Sequence, residues 1–159
     1  MPNDIFQFEA SDEAGTAAFG HALARALPVR CVVGLNGTLG AGKTRLVQAV
    51  AEACGIDRRD VISPTFVLVQ EYHGRRSIYH VDAYRLRDED EFLALGVEER
   101  FDEDALVFIE WAERVAGCLP RERIEIRIAV IGDQQRRFEV RAASAALRGV
   151  IQSLQDELA

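Results

Sequence analysis

"RCVVGLNGTLGAGKTRLVQAVAEACG", residues 30–55, decides the fold. It opens as a short apolar run and passes into a glycine-rich middle. From Thr44 to Ala53 it then carries no helix breaker until Gly55, a plausible helix stop. The reading is strand, loop, helix. Its centre, "GTLGAGKT" at 37–44, satisfies G-x-x-x-x-G-K-[ST] at every fixed position. A turn from strand into helix points consecutive backbone N–H groups inward, and the helix N-terminus adds partial positive charge, so polyphosphate is held without side chains in the way. The predicted contacts run through Gly37, Leu39, Gly40, Ala41 and Gly42, with Lys43 reaching the β- and γ-phosphates and the Thr44 hydroxyl ligating magnesium. What is done with the phosphate is left open by the loop: transfer to a substrate, use as a timer, or work on a partner.

Ahead of the loop, a short apolar stretch, "IFQF", precedes a segment from Ser11 to Leu27 with helical spacing, Ser11 as N-cap and Pro28 as its end. Beyond it, "SPTFVLVQEYHGRRSIYHVDAYR" reads as extended runs at Phe66 to Tyr72 and Ser77 to Asp82 joined by a turn around Gly74. "DEDEFLALGVEERF" is helical in spacing. "ALVFIEW" is a wholly apolar strand that ends on Glu110, as buried strands of parallel sheets do. "RIEIRIAVIG" alternates, turns at Gly132 and Asp133, and returns as "RRFEVRAA". Ser144 is read as the cap of a final helix. The predicted class is α/β: a three-layer fold around a mixed, mostly parallel sheet with antiparallel hairpins, forming one domain over 1–159.

Magnesium needs a second anchor, normally an acid at the end of an apolar strand beside the loop. Two acids compete. Glu110 follows five apolar residues, and Asp82 ends "SIYHV", where it could instead position or deprotonate an attacking water. Either could merely cap a neighbouring helix. In "SPTF", Pro64 biases Ser63 toward extended geometry and Thr65 offers a hydroxyl on a loop that could sense a γ-phosphate, although Ser-Pro is equally a turn opener. Trp111, the only tryptophan, reads as core packing or a stacking surface, and His80 as a satisfied hydrogen bond.

Composition narrows the classes. A formal net charge of −7 disfavours a dedicated nucleic-acid binder, and the pairs Arg58/Arg59, Arg75/Arg76 and Arg136/Arg137 read as solvated turns. Three cysteines without C-x-x-C spacing argue against a disulfide framework or a zinc site. The N-terminal segment lacks the pattern of a signal peptide and no apolar run is long enough to span a bilayer, so a cytoplasmic address without membrane contact is expected.

Four blocks stand in order: "GTLGAGKT", "SPTFVLVQEY", "YHVDAYRL" and "IEWAER". Together they resemble the TsaE (YjeE) family of small bacterial P-loop ATPases, over nearly the whole chain. The resemblance implies an ATP- and magnesium-dependent hydrolase (ATP, Mg2+), weak alone, required for threonylcarbamoyl modification of the tRNA adenosine next to the anticodon. It implies action through the TsaD and TsaB proteins, with tRNA met only through that complex. It further implies that Lys43 and Thr44 bind phosphate and metal, that Glu110 completes the magnesium site, and that Asp82 is needed for hydrolysis. Thr65 would sit in a switch-like loop, Trp111 beside the site, and Glu13 with Thr16 near the adenine. Thr38 and Ala112 stand where many members have an acid and a proline.

Two other classes share the loop. A small-molecule kinase should bring a lid over the phosphates, and no insertion is long enough for a separate one. A GTPase switch predicts N-K-x-D, and neither asparagine, Asn3 or Asn36, lies in that context.

Overall fold

The computed structural model describes residues 4–38, 40–62 and 68–158. Leu39 and the segment 63–67, which holds Thr65, lie outside the described residues. Among the described residues seven strands form one sheet in the order β1-β7-β6-β2-β5-β4-β3. These are β1 (Ile5–Ala10), β2 (Cys31–Gly37), β3 (Val69–His73), β4 (Ser77–Asp82), β5 (Ala105–Glu110), β6 (Arg123–Val130) and β7 (Arg136–Ala142). Strand β5 lies parallel between β2 and β4, and β6 is parallel to β2, while β3, β7 and β1 are added antiparallel. The mixed α/β architecture expected from the sequence is the one observed.

Position in the sheet explains the strand sequences. All six residues of β5 are buried, as befits a central strand covered on both faces, whereas β6 and β7 alternate. On one face, Ile124, Ile126, Ile128, Phe138 and Val140 join the core beneath three helices: α1 (Glu13–Ala26), α2 (Lys43–Ala53) and α4 (Arg148–Leu158). The opposite face of β2, β5 and β4 is covered by α3 (Glu89–Ala94) and by 3-10 turns at Val97–Asp102 and Ala112–Cys118. The helical pattern of "DEDEFLALGVEERF" is thus split at Gly96, which has a left-handed φ of 72°. The outer face of β1 and β7 carries charge pairs such as Arg137–Glu9.

Capping differs from the expectation at two places. Asp12, not Ser11, caps α1, its Oδ1 accepting from the Gly15 N–H at 2.9 Å. Ser144 precedes a 3-10 turn leading into α4 and makes no side-chain cap, its hydroxyl being buried without a partner among the described residues. The arginines of the β3–β4 turn are not merely solvated. Arg76 donates to the carbonyls of Ala24 and Leu27 at 2.7 and 2.9 Å, satisfying the open end of α1, and Arg75 reaches the Ala53 carbonyl at the end of α2. No helix among the described residues is long and apolar enough to cross a membrane.

Candidate functional site

The carboxyl ends of β2, β5 and β4 open on one edge of the sheet, and the loop after β2 closes over them. Gly40 and Gly42 hold φ values of 79° and 106°, which L side chains rarely adopt, and Gly42 forms the N-cap of α2 with no side chain to cap it. At Gly37 a Cβ would sit 2.8 Å from the Ile128 carbonyl oxygen, so the close approach to β6 needs a glycine. The first amides of α2 are therefore left facing a cleft, the arrangement that attracts an anion.

Lys43 is buried at that helix start. Its Nζ donates to the carbonyls of Gly37 and Thr38 at 2.8 and 2.9 Å and lies 4.1 Å from the centroid of the Trp111 ring. Burial draws its ammonium below the usual lysine range, against an upward pull from Glu110, then Asp82 and Glu113. The Thr44 hydroxyl donates to Glu110 Oε2 at 2.8 Å, and the imidazole Nε2 of His80 lies 2.5 Å from the same oxygen. Glu110 Oε1 has no hydrogen-bond partner among the described residues.

Asp82 and Glu110 are register partners on β4 and β5, each only 4% exposed. Asp82 Oδ1 accepts from the Tyr84 N–H at 2.8 Å, a local turn bond. Two backbone bonds lock this edge: the Ala83 N–H to the Glu110 carbonyl at 3.0 Å, and the Trp111 N–H to the Leu35 carbonyl at 2.9 Å. Trp111 is the one non-glycine among the described residues with positive φ, at 60°. Its ring packs against Tyr84 with centroids 4.9 Å apart, and the Arg114 guanidinium lies 5.5 Å from the centroid of the Tyr84 ring.

A cleft of about 500 Å³ runs along these groups, lined by Gly42, Lys43, Thr44, Asp82, Glu110 and Trp111 among others. On the other side of the loop a smaller cleft of about 140 Å³ is lined by Glu13, Thr16, Ala41, Arg136 and Phe138. Glu13 pairs with Arg45 at 2.9 Å, and Arg136 donates to the Ala41 carbonyl at 3.0 Å, bracing the loop from outside.

The sequence-expected residues Gly37, Gly40, Ala41, Gly42, Lys43, Thr44, Asp82 and Glu110 thus meet around one loop, with Glu13 on its far side. His80, read from the sequence only as a satisfied hydrogen bond, contacts Glu110, and Arg136, read as part of a solvated turn, instead braces the loop. For His80 the signal was present: it alternates with Asp82, so both point to the α2 face. Arg136 could not be placed without the path of the β6–β7 hairpin.

The donors fit magnesium. This ion prefers oxygen ligands, commonly one or two carboxylates completed by phosphate and water. Thr44 keeps oxygen lone pairs while donating its hydrogen to Glu110, and Oε1 of Glu110 is open. Among the described residues no group of three or more His, Cys, Asp or Glu forms a site for a metal held by protein alone.

A parallel centre, a glycine loop feeding a helix N-terminus and two acids at neighbouring strand ends define a P-loop NTPase-like protein. Residues 10–138 match the family model described as "Threonylcarbamoyl adenosine biosynthesis protein TsaE", and the chain belongs to the TsaE family. It is similar to the tRNA threonylcarbamoyladenosine biosynthesis protein TsaE of Treponema pallidum, 40% identical over 125 residues, covering 79% of this chain and 92% of that protein. The protein of the same name from Bacillus subtilis is 43% identical over 106 residues, 66% of this chain and 65% of that one. Among solved structures, Bacillus subtilis YdiB superposes with a TM-score of 0.81 at 29% identity, covering 96% of this chain and 95% of that one.

Proposed function

We propose that this chain, acting as a single cytoplasmic domain, is a magnesium-dependent ATPase in formation of threonylcarbamoyladenosine in tRNA, working through TsaD and TsaB and meeting tRNA only through them. The hydrogen bond from Thr44 to Glu110 carries the reading, because it ties the start of the loop helix to the acid of the central strand. The family membership supports the pathway.

In this reading Lys43 leaves the carbonyls of Gly37 and Thr38 for the β- and γ-phosphates, and the loop amides from Gly37 to Thr44 hold the remaining oxygens. Thr44 and Glu110 hold magnesium, which when bound neutralises charge on the phosphates. Asp82, one strand over, orients the attacking water or takes its proton. Thr65 senses the γ-phosphate and Leu39 contributes its loop amide. Glu13 lies toward the nucleoside, in the smaller cleft beside the loop.

The purified chain should hydrolyse ATP slowly and much faster once TsaD and TsaB are added. In an extract lacking this protein, the parent should restore the tRNA modification and Lys43→Ala should not. Rapid phosphorylation of a metabolite without the partners would instead identify a small-molecule kinase.

A further inference from the structure

His80 is fully buried on β4, between Ile78 and Asp82 on the strand face that looks toward α2. Its Nδ1 has no hydrogen-bond partner among the described residues, and its Nε2 makes one contact, to Glu110 Oε2. An imidazole in such a place is an expensive core residue, since a buried polar atom without a partner costs on the order of 1–3 kcal/mol and an aliphatic side chain would avoid that. The apolar strand around it could accept leucine. Packing alone therefore does not account for the residue, whereas its contact does.

We propose that His80 is a positioning residue for Glu110. A carboxylate oxygen accepts, so Nε2 carries the proton and donates it. With His80 and Thr44 both donating to Oε2, the carboxylate is held from two elements, and Oε1 is left without a hydrogen-bond partner among the described residues, on a side chain that lines the cleft. The parallel register makes this possible: Asp82 lies level with Glu110, so His80, two residues earlier on the same face, reaches forward beneath it. Asp82 Oδ1 accepts from the Tyr84 amide. Neighbours of this kind orient a metal-binding group without touching the metal, and their loss typically weakens metal binding about 10–100-fold.

The inference rests on the reading of Glu110 as the magnesium anchor, and the test separates the two. Mn2+ binding is followed by electron paramagnetic resonance titration of the full chain with ADP present, and ADP binding is measured separately by calorimetry in EDTA. His80→Leu should weaken Mn2+ binding by about 10–100-fold and leave metal-free ADP binding unchanged. His80→Gln, whose amide nitrogen reaches the position of Nε2, should recover most of the loss. Parental Mn2+ affinity in His80→Leu, or a His80→Gln as weak as His80→Leu, overturns the inference. Should His80→Leu not fold, His80→Gln is compared with the shorter His80→Asn: a gap between them supports the role, and equal affinities overturn it. Glu110→Gln is the control. If it binds Mn2+ as the parent does, the assignment of Glu110 falls and the inference with it. If it binds weakly while His80→Leu does not, the inference alone falls.

Discussion

The mouths of β4 and β5 lie side by side and end on carboxylates equally buried and level in register, yet they are built differently. The β5 mouth is clamped by side chains: Thr44 from the loop helix and His80 from the next strand both reach Glu110 Oε2. At the β4 mouth, Asp82 is held by the amide of Tyr84, two residues along the same chain. The difference teaches that burial and position alone do not assign a role to a strand-end acid. A group that receives donors from two other elements is set for holding something in a fixed place. Asp82, whose Oδ1 takes the amide of its own turn, lines the same cleft one strand over, where the handling of a small nucleophile suits it.

The largest effect that bears on this contrast is on turnover. Glu110→Ala and Asp82→Ala should each lower partner-stimulated ATP hydrolysis by about 10²–10⁴-fold, measured as phosphate release, with the fold intact by circular dichroism. Only Glu110→Ala should also raise the magnesium concentration needed for half-maximal nucleotide binding. If both variants raised it equally, the division of labour between the mouths would be wrong. A smaller effect is expected at Thr44. Thr44→Val removes a hydroxyl that faces Glu110 and would ligate magnesium, and should weaken magnesium-dependent ADP binding, with Thr44→Ser close to the parent. The smallest is on stability. Asp82→Ala leaves the Tyr84 amide without this acceptor and should cost about 1 kcal/mol, a fall of about 2–4 °C in Tm. Asp82→Asn keeps an acceptor oxygen and should melt near the parent while losing turnover. Equal melting of the two variants would remove the turn bond from the account.

Much of this contrast could be read from the sequence, because the decisive signals are local. The glycines of 37–44 announce a loop whose backbone must adopt left-handed angles, and Gly40 and Gly42 do so. "ALVFI" announces a strand covered on both faces, and β5 is one. What stayed hidden depends on partners distant in the chain. Strand β1 was legible only as a short apolar stretch, since its place at the sheet edge comes from pairing with β7, 126 to 136 residues on. The choice between Ser11 and Asp12 as helix cap was invisible, because either side chain can accept the bond and only the backbone path selects one. The partner of His80 needed the β4–β5 register, and the capping roles of Arg75 and Arg76 needed the helix ends they meet.

The backbone of Trp111 has a consequence for how this position can change over generations. A left-handed conformation costs an ordinary side chain on the order of 1–2 kcal/mol, and glycine or asparagine would occupy it at lower cost. Either would leave the Lys43 ammonium without the ring it rests against and Tyr84 without its neighbour. The indole also packs against the core under α3, so the same side chain that strains the backbone offsets that strain in packing and in the cleft.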